Sequence, residues 1–289
     1  MTPQASTPFA KRRKPRCDLS KVLSVFPEAL FIRFRWGRAS MVITGISNEK
    51  VKFFRSLKDA SGRREAGCFL VEGANSVKDI PESAEVLSLY IKESKEEAFR
   101  AISDQFACEK IVLSDALFDR VSDTVTPIGI AAVVKKPKSA DISEVSSSRV
   151  IVLDHVSDAG NVGAILRTAV AAGYKEAIFL GGADPYSPKA VRASMSAIFK
   201  LRPIFCENNA FLCSKFISLY DIIILDMQGE DIFRCLPRER YALVVGNEAH
   251  GVGEDIAAIG RKVSIPMQSM ESLNAAVSAG IAMYVLGRK

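Results

Sequence analysis

The stretch DHVSDAGNVGAILRTA, residues 154–169, directly follows an apolar run and decides how the rest of the chain is arranged. The preceding run, residues 150–153, is typical of a buried strand, and residues 162–172 predict a helix that Gly173 stops. In an open α/β sheet, ligands bind where a strand gives way to a loop and a helix. The polar residues of this stretch therefore lie where a binding site is expected.

Two later stretches occupy the same kind of position at the ends of predicted strands. VGNEAHG, residues 245–251, closes one apolar run, and IPM, residues 265–267, closes another and leads to ESLN, residues 271–274. The glycines that bound the turn at 246–251 let its backbone approach a ligand closely, although an ordinary tight turn has the same pattern. We call residues 154–169, 245–251 and 265–274 blocks one, two and three, and we expect them to form one site.

Apolar runs alternate with helix-like segments through the second half of the chain. Strands are predicted at residues 150–153, 177–180, 222–225, 242–245 and 262–265, and helices at residues 162–172, 187–199, 209–219 and 272–286. Strands that are apolar on both faces indicate a mostly parallel sheet covered by helices on both sides. The predicted fold class of residues 149–289 is therefore α/β.

A smaller α/β unit is predicted over residues 41–134. Short strands at 68–73, 86–91, 110–113 and 129–134 alternate with helices at 75–79, 96–106 and 116–121. Residues 135–148 are polar and rich in serine, and we interpret them as a linker between two domains.

Residues 1–40 form a basic extension with no clear period, in which KRRKPR occupies residues 11–16. Three interpretations remain open: a basic arm for nucleic acid, a transit peptide, or sequence upstream of a true start at Met41. Asp18 and Glu28 count against a transit peptide, because such peptides are poor in acidic residues.

The overall charge favours a polyanionic partner only weakly. The net charge is +6 and the isoelectric point is about 9.0. The excess of basic residues is spread along the chain. Residues 62–67 are predicted to break the preceding helix and to expose two arginines. Lys52, Lys58, Arg63 and Arg64 are therefore candidate contacts to RNA phosphates, with a solvated helix face as the alternative.

Common nucleotide, hydrolase and metal motifs are missing from the sequence. Neither GxGxxG nor GxxxxGK[ST] occurs, which disfavours a standard dinucleotide or ATP site. Asp154, His155 and Asp158 resemble a hydrolytic cluster, but no GxSxG accompanies them and they also fit loop and cap positions. Six cysteines without CxxC spacing and two histidines argue against a zinc site. No apolar run reaches the roughly 18 residues of a membrane span, and we expect a cytoplasmic protein.

Arg167 is the unusual residue of its predicted helix, because it lies near an apolar seam. A cation in such a place needs an anionic partner. That partner is either a ligand or a structural carboxylate, and an arginine that extends to solvent is a further alternative.

The three blocks together resemble the SpoU family, also called TrmH, of RNA 2′-O-ribose methyltransferases. Block one has the family pattern NxGxxxRTA from Asn161 and continues through Lys189 to Phe199; block two has GNE, and block three has IPM and ESLN. FLVEG at 69–73 and TVTPxG at 124–129 are similar to the family's substrate-binding domain, which is like ribosomal protein L30e. The resemblance covers residues 44–289.

The resemblance implies a C-terminal trefoil-knotted methyltransferase domain behind an N-terminal L30e-like domain, and a homodimer. The implied cofactor is S-adenosylmethionine, with no metal. Its contacts are implied to be Gly246, Ile265 and Leu273, and the catalytic group Asn161, Arg167, Glu248, Ser272 and Asn274. The small residues of the last helix, with Met283, suit packing against a second subunit or a place in the monomer's core.

The implied substrate is structured RNA, with rRNA favoured over tRNA. The alternatives are a tRNA ribose methyltransferase and an RNA-binding protein that kept the fold and lost catalysis. Two positions depart from the family pattern: Ser196 stands where a glycine is common, and the loop at 268–270 is one residue short.

Overall fold

The structure is a computed structural model that describes residues 41–206, 217–270 and 272–288. The predictions for residues 1–40, for most of the helix at 209–219 and for Glu271 lie outside the described residues. No helix in the described part of the chain has both the length and the hydropathy of a membrane span.

The first sheet has four strands in the order β1-β4-β2-β3. The β2–β3 pair is parallel, and β4 pairs antiparallel with both β1 and β2. The strands are β1 (Cys68–Glu72), β2 (Val86–Lys92), β3 (Glu109–Leu113) and β4 (Ile130–Lys135). The helices around them are α1 (Glu49–Ser56), α2 (Ala60–Ala66), α3 (Ala74–Lys78), α4 (Arg100–Ser103) and α5 (Asp115–Val121). The predicted alternation of strands and helices is therefore confirmed.

The helix predicted at 96–106 is wrong in its length. Only Arg100–Ser103 is α-helical, and a 3₁₀ turn at Glu93–Lys95 precedes it. Several backbone amides here bond three residues back instead of four, as from Ile102 to the Phe99 carbonyl. Such bonds tighten the chain, so the apolar period continues without a regular α-helix.

The prediction that Arg63 is exposed and contacts RNA is also wrong. Residues 60–66 form α2 instead of a break, and Arg63 is only 3% exposed. Its Nε donates to Asp184 Oδ2 at 2.7 Å, and its Nη1 donates to the carbonyls of Leu57 at 3.0 Å and Lys58 at 2.6 Å. A buried cation needs such partners, and they leave Arg63 unavailable to a phosphate.

The second sheet has six strands, all parallel, in the order β10-β8-β9-β5-β6-β7. The strands are β5 (Arg149–Asp154), β6 (Glu176–Leu180), β7 (Arg202–Phe205), β8 (Asp221–Asp231), β9 (Tyr241–Val245) and β10 (Arg261–Ser264). The helices are α6 (Ala159–Ala171), α7 (Pro188–Ser194), α8 (Glu254–Ala257) and α9 (Ala275–Leu286). The prediction of a parallel sheet is confirmed.

Both faces of this sheet are buried, as its apolar strands predict. In β5, Ile151 and Leu153 join one hydrophobic cluster, whereas Val150 and Val152 join another on the opposite face. The first cluster extends into the first sheet, where the Phe69 ring lies 4.9 Å from that of Tyr186. The two sheets therefore share one continuous core.

The segment interpreted as a linker packs against the second sheet. A 3₁₀ turn at Ile142–Glu144 has a capping box with Asp141, and Ile142 is buried in the second cluster. The amide of Ala140 donates to the Pro203 carbonyl of β7. The division into two domains at residues 135–148 stays a prediction.

Two helices near the predicted site differ from their predicted bounds. α7 ends at Ser194 instead of Phe199, because Met195 and Ser196 adopt left-handed conformations with φ of 46° and 67°. α9 begins at Ala275, and its residues Ala279 and Met283 are fully buried within the chain. These two residues therefore belong to the monomer's core.

Ser196→Gly should stabilise the protein by about 0.5–1 kcal/mol. A left-handed conformation costs a residue with Cβ about 1–2 kcal/mol, which exceeds the roughly 0.5–1 kcal/mol entropic cost of glycine. Ser194→Gly is the matched control with the opposite sign, because Ser194 is helical and its Oγ donates to the Val191 carbonyl. Urea unfolding measures the change in free energy of unfolding for both variants. If Ser196→Gly destabilised the protein, the left-handed conformation of Ser196 would not be a source of strain.

Candidate functional site

A cavity of about 730 Å³ lies at the carboxyl ends of β9 and β10 and beside the middle of β8. Most of its walls come from blocks two and three and from the middle of β8. The lining residues are Leu225, Asp226, Met227, Gln228, Val245, Gly246, Asn247, Glu248, Ala249, His250, Gly251, Val263, Ile265, Met267, Ser272, Leu273, Asn274, Ala275 and Ser278. All three predicted cofactor contacts are among them, and so are three of the five predicted catalytic residues.

Block two forms a closed turn with no room for a side chain at its start. A Cβ on Gly246 would lie 2.4 Å from the Gly251 carbonyl carbon, so this position requires glycine. The amides of Asn247 and Gly251 each donate to the other's carbonyl at 2.9 Å. The Asn247 side chain accepts from the Ala249 and His250 amides, so the turn is held in one shape.

Glu248 of block two binds the beginning of block one. Its Oε2 accepts from the Ser157 amide at 2.9 Å and from the Ser157 hydroxyl at 2.6 Å. Its Oε1 accepts from the Asp158 amide at 3.2 Å and from Asn161 Nδ2 at 2.8 Å. Both carboxylate oxygens therefore have two donors each.

Asn161 connects this carboxylate to block three. Its side-chain Oδ1 accepts from Asn274 Nδ2 at 2.9 Å. Its backbone amide donates to Asp158 Oδ1 at the start of α6. Asn274 in turn caps α9, because its Oδ1 accepts from the Ala276 amide at 2.9 Å. The chain from Glu248 through Asn161 to Asn274 joins all three blocks.

The pKa of Glu248 reflects these donors. Desolvation of the carboxylate raises its pKa, but the hydrogen bonds from Ser157 and Asn161 outweigh this effect and lower the pKa to about 2. Glu248 is therefore a carboxylate at neutral pH, and it is too weakly basic to take a proton from a hydroxyl group.

Asp154 and His155 hold the turn of block two and are not arranged for hydrolysis. The buried Asp154 carboxylate bonds His155 Nδ1 at 2.7 Å and accepts from the Gly253 amide at 2.7 Å. The His155 carbonyl accepts from Asn247 Nδ2 at 2.9 Å. His155 itself is left-handed, with φ of 54°. Both ends of the turn at 247–253 are thus fixed to the end of β5.

Arg167 lies on α6 but not at a buried seam. It is exposed, and its guanidinium has no hydrogen bond or ion pair with another described residue. The structure therefore contradicts the buried position near an apolar seam and the alternative of a structural carboxylate among the described residues, because the helix turns this side chain to solvent. Arg167 remains available to an anionic ligand.

Sequence reasoning missed the cavity wall formed by residues 225–228. The register of β8 explains it: Ile224 pairs with Lys262, but the next pair joins Glu230 to Val263, so five residues leave the ladder. The signal in the sequence was Gly229, since a Cβ there would lie 2.4 Å from Lys262 and Val263 backbone atoms. Gly229 lies outside the predicted apolar run 222–225, so the sequence pattern alone did not mark it as part of a bulged strand.

Comparisons with known protein families match both parts of the chain. The sequence profile of the SpoU rRNA Methylase family matches residues 148–284, and that of the MRM3-like substrate binding domain matches residues 48–132. The 23S rRNA (guanosine(2553)-2′-O)-methyltransferase RlmP of Bacillus subtilis is 29% identical over 255 residues, which cover 84% of this chain and 98% of the relative.

Two solved structures are similar along most of their length. A putative RNA methyltransferase of the TrmH family from Porphyromonas gingivalis has a TM-score of 0.74 at 30% identity, covering 83% of this chain and 97% of that one. The SpoU methyltransferase AviRb from Streptomyces viridochromogenes, in complex with AdoMet, has a TM-score of 0.76 at 26% identity, with the same coverage.

Glu248→Gln should lower the free energy of unfolding at pH 7 by about 1 kcal/mol. The glutamine NH₂ group would face the Ser157 amide, so two donors would meet where a donor and an acceptor now pair. Solvent screens part of this effect. The folded pKa of Glu248 lies below its usual 4.5. Its contribution is therefore complete above pH 4.5 and is lost as the pH falls towards 2.

The measurement is urea unfolding of both proteins between pH 3 and pH 7, with Glu239→Gln as the control. Glu239 is exposed and has no side-chain hydrogen bond to another described residue. If the difference in free energy of unfolding between wild type and Glu248→Gln did not shrink at low pH, the stabilising role of the Glu248 carboxylate would be contradicted.

Proposed function

The chain belongs to the SpoU rRNA methylase family, and from that premise we propose that it transfers a methyl group from S-adenosylmethionine to a ribose 2′-hydroxyl of rRNA. The observation that carries the proposal is the hydrogen-bonded chain from Glu248 through Asn161 to Asn274. It joins the three family blocks at the edge of a cavity, and both end members line that cavity.

The cavity suits the proposed methyl donor. Its volume falls in the range of roughly 300–1,000 Å³ that is usual for small-molecule sites. Its walls include aliphatic side chains for an adenine ring, such as Ile265 and Leu273, and the closely packed backbone at Gly246. The described lining includes neither lysine nor arginine, so no lining cation repels a ligand that carries a sulfonium and an ammonium group. We assign the cofactor contacts to Gly246, Ile265 and Leu273.

In the proposed chemistry the ribose 2′-oxygen would attack the methyl carbon of the donor's sulfonium, the S–CH₃ bond would break, and S-adenosylhomocysteine would leave with the electron pair of that bond. Asn161 and Asn274 are held in fixed orientations and position the ribose against the cavity, while Ser272 offers its hydroxyl to the same group. Glu248 keeps Asn161 in place and takes no proton, because its pKa is about 2.

Arg167 anchors the phosphate beside the target ribose in this proposal. Arginine remains protonated in proteins, so it does not serve as the base. The guanidinium holds this phosphate so that the neighbouring 2′-oxygen faces the donor, and the hydroxyl proton passes to solvent water as the new O–CH₃ bond forms. The exposure of Arg167, without a partner among the described residues, supports this role.

Contacts to RNA outside the site are proposed for the exposed Lys52 and Arg64. Lys52 also pairs with Glu49, and the half-buried Lys58 donates to the Ser122 carbonyl at 2.8 Å, so Lys58 is the weaker candidate. An rRNA substrate is supported by the name of the Bacillus relative. The other candidate substrate is tRNA.

We further propose that the chain forms a homodimer, that its C-terminal part is knotted, and that it works in the cytoplasm. The exposed Val277 and Tyr284 on α9, at 51% and 55% exposure, support an apolar contact with a second copy. The knot rests on family membership alone. The cytoplasmic location rests on composition and on the bacterial rRNA relative.

Mapping of 2′-O-methylation across total RNA, from cells with and without the protein, tests the proposed function. One rRNA nucleotide should lose its methyl group when the protein is absent, and a catalytically intact copy should restore it. A loss confined to tRNA would select the other substrate. An unchanged methylation map, together with no binding of S-adenosylmethionine by the purified protein, would sink the enzyme assignment.

Arg167→Ala should lower kcat for methyl transfer at least about 100-fold, because an oriented charge contact at the reacting group is lost. RNA binding should remain measurable, since other phosphate contacts persist. Arg234→Ala is the control, as Arg234 is 88% exposed and lies away from the cavity lining. Single-turnover methyl transfer and filter binding give the two readouts; near-normal turnover would refute the role of Arg167.

A further inference from the structure

The bulge of β8 places an acidic side chain in the wall of the cavity. Residues 225–229 leave the ladder between β8 and β10, and the first four of them line the cavity. Gly229 lets the chain return against β10, where a Cβ would collide with the backbone. The bulge thus carries Asp226 from the strand into the proposed donor site.

Asp226 is fixed in position before any ligand arrives. Its Oδ2 lies 2.7 Å from Lys262 Nζ on β10, and its Oδ1 accepts from the Gln228 amide at 2.9 Å. Its side chain remains 28% exposed. Each oxygen has one described partner, so each retains capacity to accept a second hydrogen bond.

Asp226 and Glu248 are the two acidic residues of the described cavity lining. Glu248 already accepts four hydrogen bonds from block one. Asp226 is therefore the lining carboxylate that has acceptor capacity left for a ligand.

We propose that Asp226 binds the vicinal 2′- and 3′-hydroxyls of the adenosine moiety of the methyl donor, a specificity contact that rests on the proposed function. A carboxylate accepts two adjacent hydroxyl donors, and acids at strand ends bind ribose in other nucleotide sites by the same chemistry.

The donor's ammonium group is the competing partner for this carboxylate. The ion pair with Lys262 already compensates the charge of Asp226, which reduces its attraction for a second cation. A neutral hydroxyl donor does not depend on that net charge. The geometry therefore favours the diol over the ammonium.

Calorimetry on the purified full chain separates these possibilities. The probes are S-adenosylhomocysteine, 5′-methylthioadenosine, which lacks the amino-acid part, and the 2′,3′-dideoxy analogue of S-adenosylhomocysteine. Asp226→Ala should weaken the first two by about tenfold or more, whereas wild type should bind the dideoxy analogue about tenfold more weakly than the parent. The variant should no longer distinguish the analogue from the parent.

Asp231→Ala is the matched control. Asp231 lies on the same strand, accepts from an amide two residues ahead, and pairs with Arg234, but it does not line the cavity. It should leave all three affinities unchanged, and thermal unfolding should show that both variants are folded.

Two results would overturn this inference without affecting the proposed function. The first is unchanged affinities in Asp226→Ala. The second is weaker binding of S-adenosylhomocysteine by the variant with normal binding of 5′-methylthioadenosine, which would mean that Asp226 binds the ammonium group. Wild-type protein that binds neither S-adenosylmethionine nor S-adenosylhomocysteine would overturn the proposed function, and this inference with it.

Discussion

The carboxylate of Glu248 is the constraint on which the site depends. It is the acceptor for four donors that all come from the start of α6, about 90 residues earlier in the chain. Without it, the Ser157 and Asp158 amides and the Asn161 side chain would each lose the partner that holds the start of α6 against block two. Its low pKa follows from the same contacts, so one set of hydrogen bonds fixes the geometry and keeps the carboxylate ionised.

The parallel sheet makes this constraint possible. In a parallel sheet the carboxyl ends of all strands lie on the same side. Because strands β5 and β9 are direct neighbours, the loops that follow them meet there. Asp154 strengthens that junction, because its buried carboxylate holds the Gly253 amide beyond the turn of block two. Two carboxylates thus connect the same two loops: Asp154 at the end of β5 binds the loop after β9, and Glu248 in that loop binds the loop after β5.

The sequence was informative where a pattern is local. Apolar runs predicted the strands of the second sheet, and the family pattern selected Asn161, Glu248 and Asn274, which the structure brings together. It failed where the outcome depends on distant partners. Arg63 is buried because of Asp184, 121 residues away, and no local period contains that information. The bulge of β8 was missed because its register is set by β10.

The spacing between Asn161 and Asn274 also has a consequence for biosynthesis. The two side chains are 113 residues apart, and translation proceeds at roughly 5–20 residues per second. About 6–23 s therefore pass between the synthesis of the first asparagine and that of the second. The first sheet is complete well before then, since β4 ends at Lys135. A nascent chain thus carries all the strands of the first sheet before the last wall of the methyl-donor cavity, residues 265–274, has been made.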